Sequence, residues 1–187
     1  MTLRELVTAV VLVGAGLLAV AGVAKVRDPR PTRTGLLDNG LVLPKTLVVA
    51  LGISEVASAI WIFATGSRRA TVLVAAFYLV FALVTARAMA RGGDRVECGC
   101  LGDSGATLGP THLAFNTTMA AAATAAALMA PHRALLPVDS LASVVTIAAV
   151  AVATYLAYLL LTAFEGAMRS YQLTGSSRAP QTPGGRA

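Results

Sequence analysis

Charge is almost absent from five long stretches of the chain, and polar residues gather between them. The apolar stretches run from about Leu6 to Ala24, Leu47 to Thr65, Thr71 to Ala90, Leu113 to Ala130 and Leu141 to Phe164. Each approaches the roughly 20 residues that a helix rising about 1.5 Å per residue needs to cross the hydrocarbon of a bilayer. The punctuation between them is that of helices. Pro44 precedes the second stretch, Gly66-Ser67-Arg68-Arg69 separates the second from the third, and Pro131 and Pro137 bracket the turn before the fifth. No long-period repeat is present. The one low-complexity run, Ala120 to Ala127 with Thr124 inside it, predicts a thin helix that neighbours approach closely.

Composition agrees with that pattern. The 187 residues are 56% hydrophobic and only 13% charged, with a mean hydropathy of +0.73, which excludes an ordinary soluble globule. Aromatics make up 5%, so the expected packing uses Ala, Val, Leu and small residues rather than large rings. The fold class expected is all-α: a polytopic membrane helix bundle of about five transmembrane helices, four forming a core and a fifth near the C-terminus. Residues 1–165 form this domain, and the Gly, Ser, Pro, Thr and Arg of 166–187 read as a disordered basic tail. The first stretch has a rival reading as a signal peptide, with Arg4 as its positive region and Ala19-Val20-Ala21 as a cleavage site. The length of the run and the presence of Glu5 speak for a retained helix.

The net charge of +6 does not indicate nucleic acid, because Lys and Arg fall between apolar runs and are not interleaved with aromatics on one face. It indicates topology and lipid headgroups. Five spans put the first loop, the segment between the third and fourth spans, and the tail on one side. That side holds Lys25, Arg27, Arg30, Arg33, Lys45, Arg87, Arg91, Arg95, Arg169, Arg178 and Arg186, eleven of the fifteen basic residues. A plain positive-inside count therefore makes it cytoplasmic.

Both cysteines lie in that same segment, as Cys98-Gly99-Cys100. A disulfide wants its Cα atoms about 4.4–6.8 Å apart, so an i to i+2 pair closes only if the backbone turns, and Gly99 permits the turn. A ring this tight is strained, and strained exposed disulfides serve exchange rather than holding a fold together. Arg95 favours the thiolate and Glu97 opposes it. Two other readings stand beside the redox one. The thiols could be small buried hydrophobes, or Cys98 and Cys100 with Asp103 and His112 could ligate a zinc-like ion, although that spacing is not a common closed site. Disulfide chemistry favours the oxidising exterior, against the charge count.

Glu55 stands near the middle of the second apolar stretch, where a carboxylate normally faces a partner, a cavity or a proton path. Lys25, ending the first stretch near the same membrane face, is the candidate partner, its long stem able to reach inward. Asn116 is a weaker intramembrane polar site, expected to bond a neighbouring helix. Trp61, Tyr155 and Tyr158 read as packing and interfacial residues.

Taken in order, Ala24-Lys25-Val26-Arg27-Asp28-Pro29, Leu43-Pro44, Glu55 and Cys98-Gly99-Cys100-Leu101-Gly102 resemble the methylamine utilisation protein MauE family, within the DoxX-like membrane proteins. The similarity covers roughly residues 5–165. The family usually has Phe where Leu101 stands and an Arg-Asn pair where this chain has Phe115-Asn116. The first departure is mild; the second removes a charge near the cysteine segment and any anion or quinone contact that Arg would make. The resemblance implies an integral protein of the inner (cytoplasmic) membrane, needed for maturation of the disulfide-rich, exported β subunit of methylamine dehydrogenase, working with a thioredoxin-like extracytoplasmic partner. Its bundle is also similar to the vitamin K epoxide reductase and DsbB-like oxidoreductases, which implies that Cys98 and Cys100 exchange with a partner's dithiol and that a membrane quinone is a possible electron acceptor. On this reading the cysteine segment is extracytoplasmic, with Gly99, Arg95, Lys25, Glu55 and Asn116 in support. A hypothesis of a different class is a non-catalytic membrane scaffold that recruits the thioredoxin-like partner.

Overall fold

The computed structural model describes residues 2–91, 109–129 and 140–176, with the side chains of the last stretch described over 143–163. These residues form six helices: α1 (Leu3–Arg27), α2 (Arg30–Asp38), α3 (Lys45–Thr65), α4 (Arg68–Ala90), α5 (Pro110–Leu128) and α6 (Ser140–Ser176). Helix ends follow local chemistry. Thr2 and Glu5 close a capping box on α1, Glu5 N donating to Thr2 Oγ1 and Thr2 N to Glu5 Oε2. Gly66, at φ +56°, ends α3 in the left-handed conformation, and one residue later the Ser67 hydroxyl caps α4.

Among the described residues, four helices are long and apolar enough to cross a membrane: α1, α3, α4 and, over Ser143–Ala163, α6. At about 1.5 Å per residue the 21 residues of α3 span roughly 31 Å. The fifth expected span, α5, has 19 residues and no charge, but His112, Asn116 and four threonines dilute its apolarity below that of the others. It packs along α4 and against α1. α6 runs on past its apolar stretch through Ser176, because Glu165, Ala167, Met168 and Arg169 are good helix formers.

α1 is the hub, packed against α3, α4, α5 and α6. Its Val11, Ala15 and Leu18 join Ala59 and Ile62 of α3, Val74 and Tyr78 of α4, and Met119 and Ala123 of α5 in one core. A helix that supplies this much of the interior is a structural member of the bundle. Outward, Ile60, Leu83 and Val144 are 62%, 61% and 63% exposed, an apolar exterior suited to lipid. Trp61 and Tyr155 stand on that exterior.

The basic segment between the first two spans contains a helix that the apolar pattern does not reveal. α2 begins at Arg30 with Pro31 in its first turn, where a missing N–H costs nothing, and Asp28 Oδ1 accepts from Arg30 N at 3.0 Å. Asn39 and the left-handed Gly40 (φ +72°) end it, with Leu41 N donating to Leu36 O at 2.8 Å.

Candidate functional site

α1 and α3 cross where Gly22 meets Gly52. A Cβ added at Gly22 would lie 2.6 Å from Gly52 O, and one added at Gly52 would lie 2.7 Å from Gly22 O, so backbone touches backbone there. Three residues beyond each glycine is a charged one, Lys25 in Gly22-Val23-Ala24-Lys25 and Glu55 in Gly52-Ile53-Ser54-Glu55. The arrangement is reciprocal: Gly52 leaves room for the Lys25 Cβ and Gly22 for the Glu55 Cβ. Residues i and i+3 share a helix face, so both charges point into the same crossing.

Lys25 Nζ donates to Glu55 Oε2 at 2.9 Å, with the two side chains 1% and 0% exposed. Glu55 is ten residues, about 15 Å, into α3 from Lys45, close to the mid-depth of a bilayer. Lys25 starts nearer the membrane face, yet side chains on a helix lean toward its N-terminus, which here means inward. Its Nζ accordingly lies one turn back, 3.4 Å from Ala21 O, and 5.4 Å from the centre of the Phe81 ring, within cation–π range. Glu55 Oε1 is buried with no hydrogen-bond partner among the described residues.

An aromatic layer closes the site on the α4–α5 side. Tyr78 meets Phe81 and Phe115 edge-on, with centroids 6.1 and 6.2 Å apart. Its hydroxyl donates to Gly14 O at 2.6 Å and so ties α4 to α1. At the end of α4, Arg91 Nη1 donates to Asn39 O at 2.8 Å, and Arg87 Nε reaches the same carbonyl at 3.5 Å. Asn39 is buried, its Nδ2 donating to Gly35 O at 3.0 Å. Arg91 therefore fastens the last turn before the cysteine segment onto the end of α2.

Of the residues singled out in the sequence, Lys25 and Glu55 are brought together. Asn116 is half-buried on α5 and forms no hydrogen bond through its side chain among the described residues; the helix-to-helix bond expected of it is not seen. Cys98, Gly99, Cys100, Arg95, Glu97 and Asp103 lie outside the described residues. His112 is buried at the start of α5. Among the described residues, no group of three or more His, Cys, Asp or Glu stands ready to hold a metal. Sequence reasoning missed Tyr78 and Asn39, and counted Arg87 and Arg91 as basic residues beside the cysteine segment without giving them a partner. For the Gly22–Gly52 crossing, the signal was in the sequence as two Gly-x-x-charge spacings, one at the end of α1 and one in the middle of α3.

An all-helical bundle with several membrane-length helices and an occluded charge pair at mid-depth defines a multi-pass membrane protein. Residues 3–130 match the family described as methylamine utilisation protein MauE, and the chain belongs to that family. The match runs from α1 to the end of α5, includes the cysteine segment, and stops before α6. Comparison with the curated proteins and with the solved structures found no match. The protein is thus a multi-pass membrane member of a methylamine-utilisation family.

Proposed function

We propose that the protein carries out thiol-disulfide exchange at Cys98 and Cys100, in support of the maturation of an exported, disulfide-containing protein. By family that client is the β subunit of methylamine dehydrogenase. The observation that carries this reading is the Cys98-Gly99-Cys100 pair inside the stretch that matches the family. One cysteine thiolate attacks a disulfide sulfur of the thioredoxin-like partner and forms a mixed disulfide, expelling the partner's second sulfur as a thiolate. The other cysteine then attacks the mixed disulfide. The partner leaves as a dithiol, Cys98 and Cys100 are oxidised to a disulfide, and two electrons have moved to the partner. Run in reverse, the same steps hand a disulfide back to a client or partner dithiol.

A partner disulfide, rather than a quinone, is the electron acceptor here for a physical reason. The groove between α1, α3 and α6 is about 640 Å³ and is lined by Gly16, Val20, Phe63, Ile147, Thr154 and Tyr155 among others. That lining suits an isoprenoid tail and offers few donors for a quinone ring. A membrane quinone would accept two electrons and two protons.

The cysteine segment is assigned to the extracytoplasmic side of the inner membrane, where disulfides persist. The charge count that opposes this is weakened by the fold itself. Lys25 is taken by Glu55, and Arg87 and Arg91 by the Asn39 carbonyl, so three of those eleven cations answer to internal packing as well as to topology. Lys25 and Glu55 act as positioning residues: they fix α1 against α3 and thereby the frame from which the first loop and α4 are hung.

The test is to trap the mixed disulfide. With Cys98→Ser or Cys100→Ser, one of the two variants should accumulate a covalent, reductant-sensitive adduct with the thioredoxin-like partner, and the double variant should lose client maturation. Full maturation with the double Ser variant would instead leave a scaffold that recruits the partner without chemistry.

A further inference from the structure

On the loop face of the bundle, α2 and the chain that returns from it toward α3 enclose a groove of about 420 Å³. One side is a single face of α2, Arg30, Arg33, Thr34 and Leu37, at the i, i+3, i+4 and i+7 spacing that aligns side chains on a helix. The other side is Val42 and Leu43. The lining therefore combines two guanidiniums and a hydroxyl with three aliphatic side chains. Val42 is 82% and Leu37 56% exposed, an exposure that a water-facing loop would not favour and that a lipid surface would cover.

Among the described residues the two cations are not spent on carboxylates. Arg33 gives only its Nε–H to Leu43 O, at 3.3 Å. Neither Arg30 nor Arg33 is paired with a carboxylate among the described residues. The nearest acid in sequence, Asp28, has one carboxylate oxygen on the Arg30 backbone N–H at the start of α2. Asp38, the other acid of this segment, sits at the far end of the helix. Among the described residues, the Nη groups of both arginines and the Thr34 hydroxyl thus have no protein partner, and the three side chains line the groove together with Leu37, Val42 and Leu43.

We propose that this groove is a binding site for an anionic phospholipid of the surrounding leaflet. The phosphate is held between Arg30, Arg33 and Thr34, and the first acyl carbons lie over Leu37, Val42 and Leu43. Guanidinium forks match phosphate oxygens in a bidentate geometry, and a helix joining two spans at the membrane surface is where headgroup phosphates are found. The bound lipid would steady the segment whose end, at Asn39, receives Arg87 and Arg91 from α4. The proposal rests on membrane residence alone and is independent of the cysteine chemistry.

The experiment uses the full chain purified in detergent and native mass spectrometry, with phosphatidylglycerol or phosphatidylcholine added at matched amounts. The wild type should retain phosphatidylglycerol under conditions that strip phosphatidylcholine. Arg30→Gln, whose side chain has no bond among the described residues, should weaken retention about fivefold, and Arg30→Gln with Arg33→Gln about thirtyfold. Arg33→Lys, which keeps the charge, should retain most of it, and Lys45→Gln, on the same face but outside the groove, should change it little. Equal retention of the two lipids would overturn the proposal, as would undiminished phosphatidylglycerol binding by a correctly folded Arg30→Gln, Arg33→Gln variant. Displacement of the lipid by millimolar inorganic phosphate alone would point to a free-phosphate site and overturn it too.

Discussion

Neutralising Glu55 tests what the buried ion pair does. Glu55→Gln keeps the size of the side chain and removes its charge, leaving the Lys25 ammonium at mid-depth with the Ala21 carbonyl at 3.4 Å and the Phe81 ring at 5.4 Å. Neither replaces a carboxylate at 2.9 Å in a site where both side chains are essentially unexposed. Breaking a buried pair by removing one partner costs about 3–5 kcal/mol, whereas replacing both with apolar groups of similar volume is often neutral. Hydrogen bonds between membrane helices average only about 0.6 kcal/mol in double-mutant cycles, but those contacts are mostly between neutral groups. The larger figure governs here, because the group left behind is a formal charge. Glu55→Gln should therefore lower stability by about 3 kcal/mol, and Lys25→Met by a similar amount. Glu55→Leu alone should cost about as much as Glu55→Gln, yet combined with Lys25→Met it should fall within about 1 kcal/mol of wild type, so the coupling in this cycle is about 5 kcal/mol. Unfolding in mixed micelles of rising denaturing-detergent content can be followed through Trp61, the only tryptophan in the chain. Additive single effects, or a Glu55→Gln loss below about 0.5 kcal/mol, would refute the assignment of the pair to the α1–α3 frame.

Two further substitutions separate kinds of contact. Gly22→Ala drives a methyl against the Gly52 backbone oxygen, 2.6 Å away, which cannot yield, so α1 and α3 should part at a cost of about 1–3 kcal/mol. Gly16→Ala meets only the Thr154 side chain, which can rotate, and its better helix propensity offsets the rest; the same unfolding assay should find it near wild type. Tyr78→Phe removes the bond to Gly14 O without leaving a buried donor behind, and should cost about 1 kcal/mol in that assay.

The membrane bundle was legible in the sequence because lipid imposes one rule, long runs without charge, and α1, α3, α4 and α6 obey it. α5 obeys it less well: His112, Asn116 and the threonines are carried by a helix packed on α4 and α1, where tertiary contact stands in for lipid. Lys25 and Glu55 stood out because each violates the same rule, and their violations are mutual. α2 escaped notice because nine residues with two arginines and a proline lack an apolar run, and its existence depends on Asp28 at its start and Gly40 at its end. The clamp of Arg87 and Arg91 on Asn39 was illegible for another reason. A bond to a backbone carbonyl some fifty residues away in sequence leaves no trace in local spacing, and arginines at a helix end read equally well as topology signals.

Labelling of Cys98 and Cys100 with a membrane-impermeant maleimide on intact cells, with and without prior reduction, tests the thiol-disulfide account most directly. Cys98→Ser and Cys100→Ser serve as controls. The account predicts labelling that appears only after reduction and is lost when both cysteines are replaced, as expected of an extracytoplasmic, reversibly oxidised pair. Labelling that required permeabilised cells would put the cysteines in the cytoplasm, in agreement with the charge count, and would contradict the export-maturation mechanism.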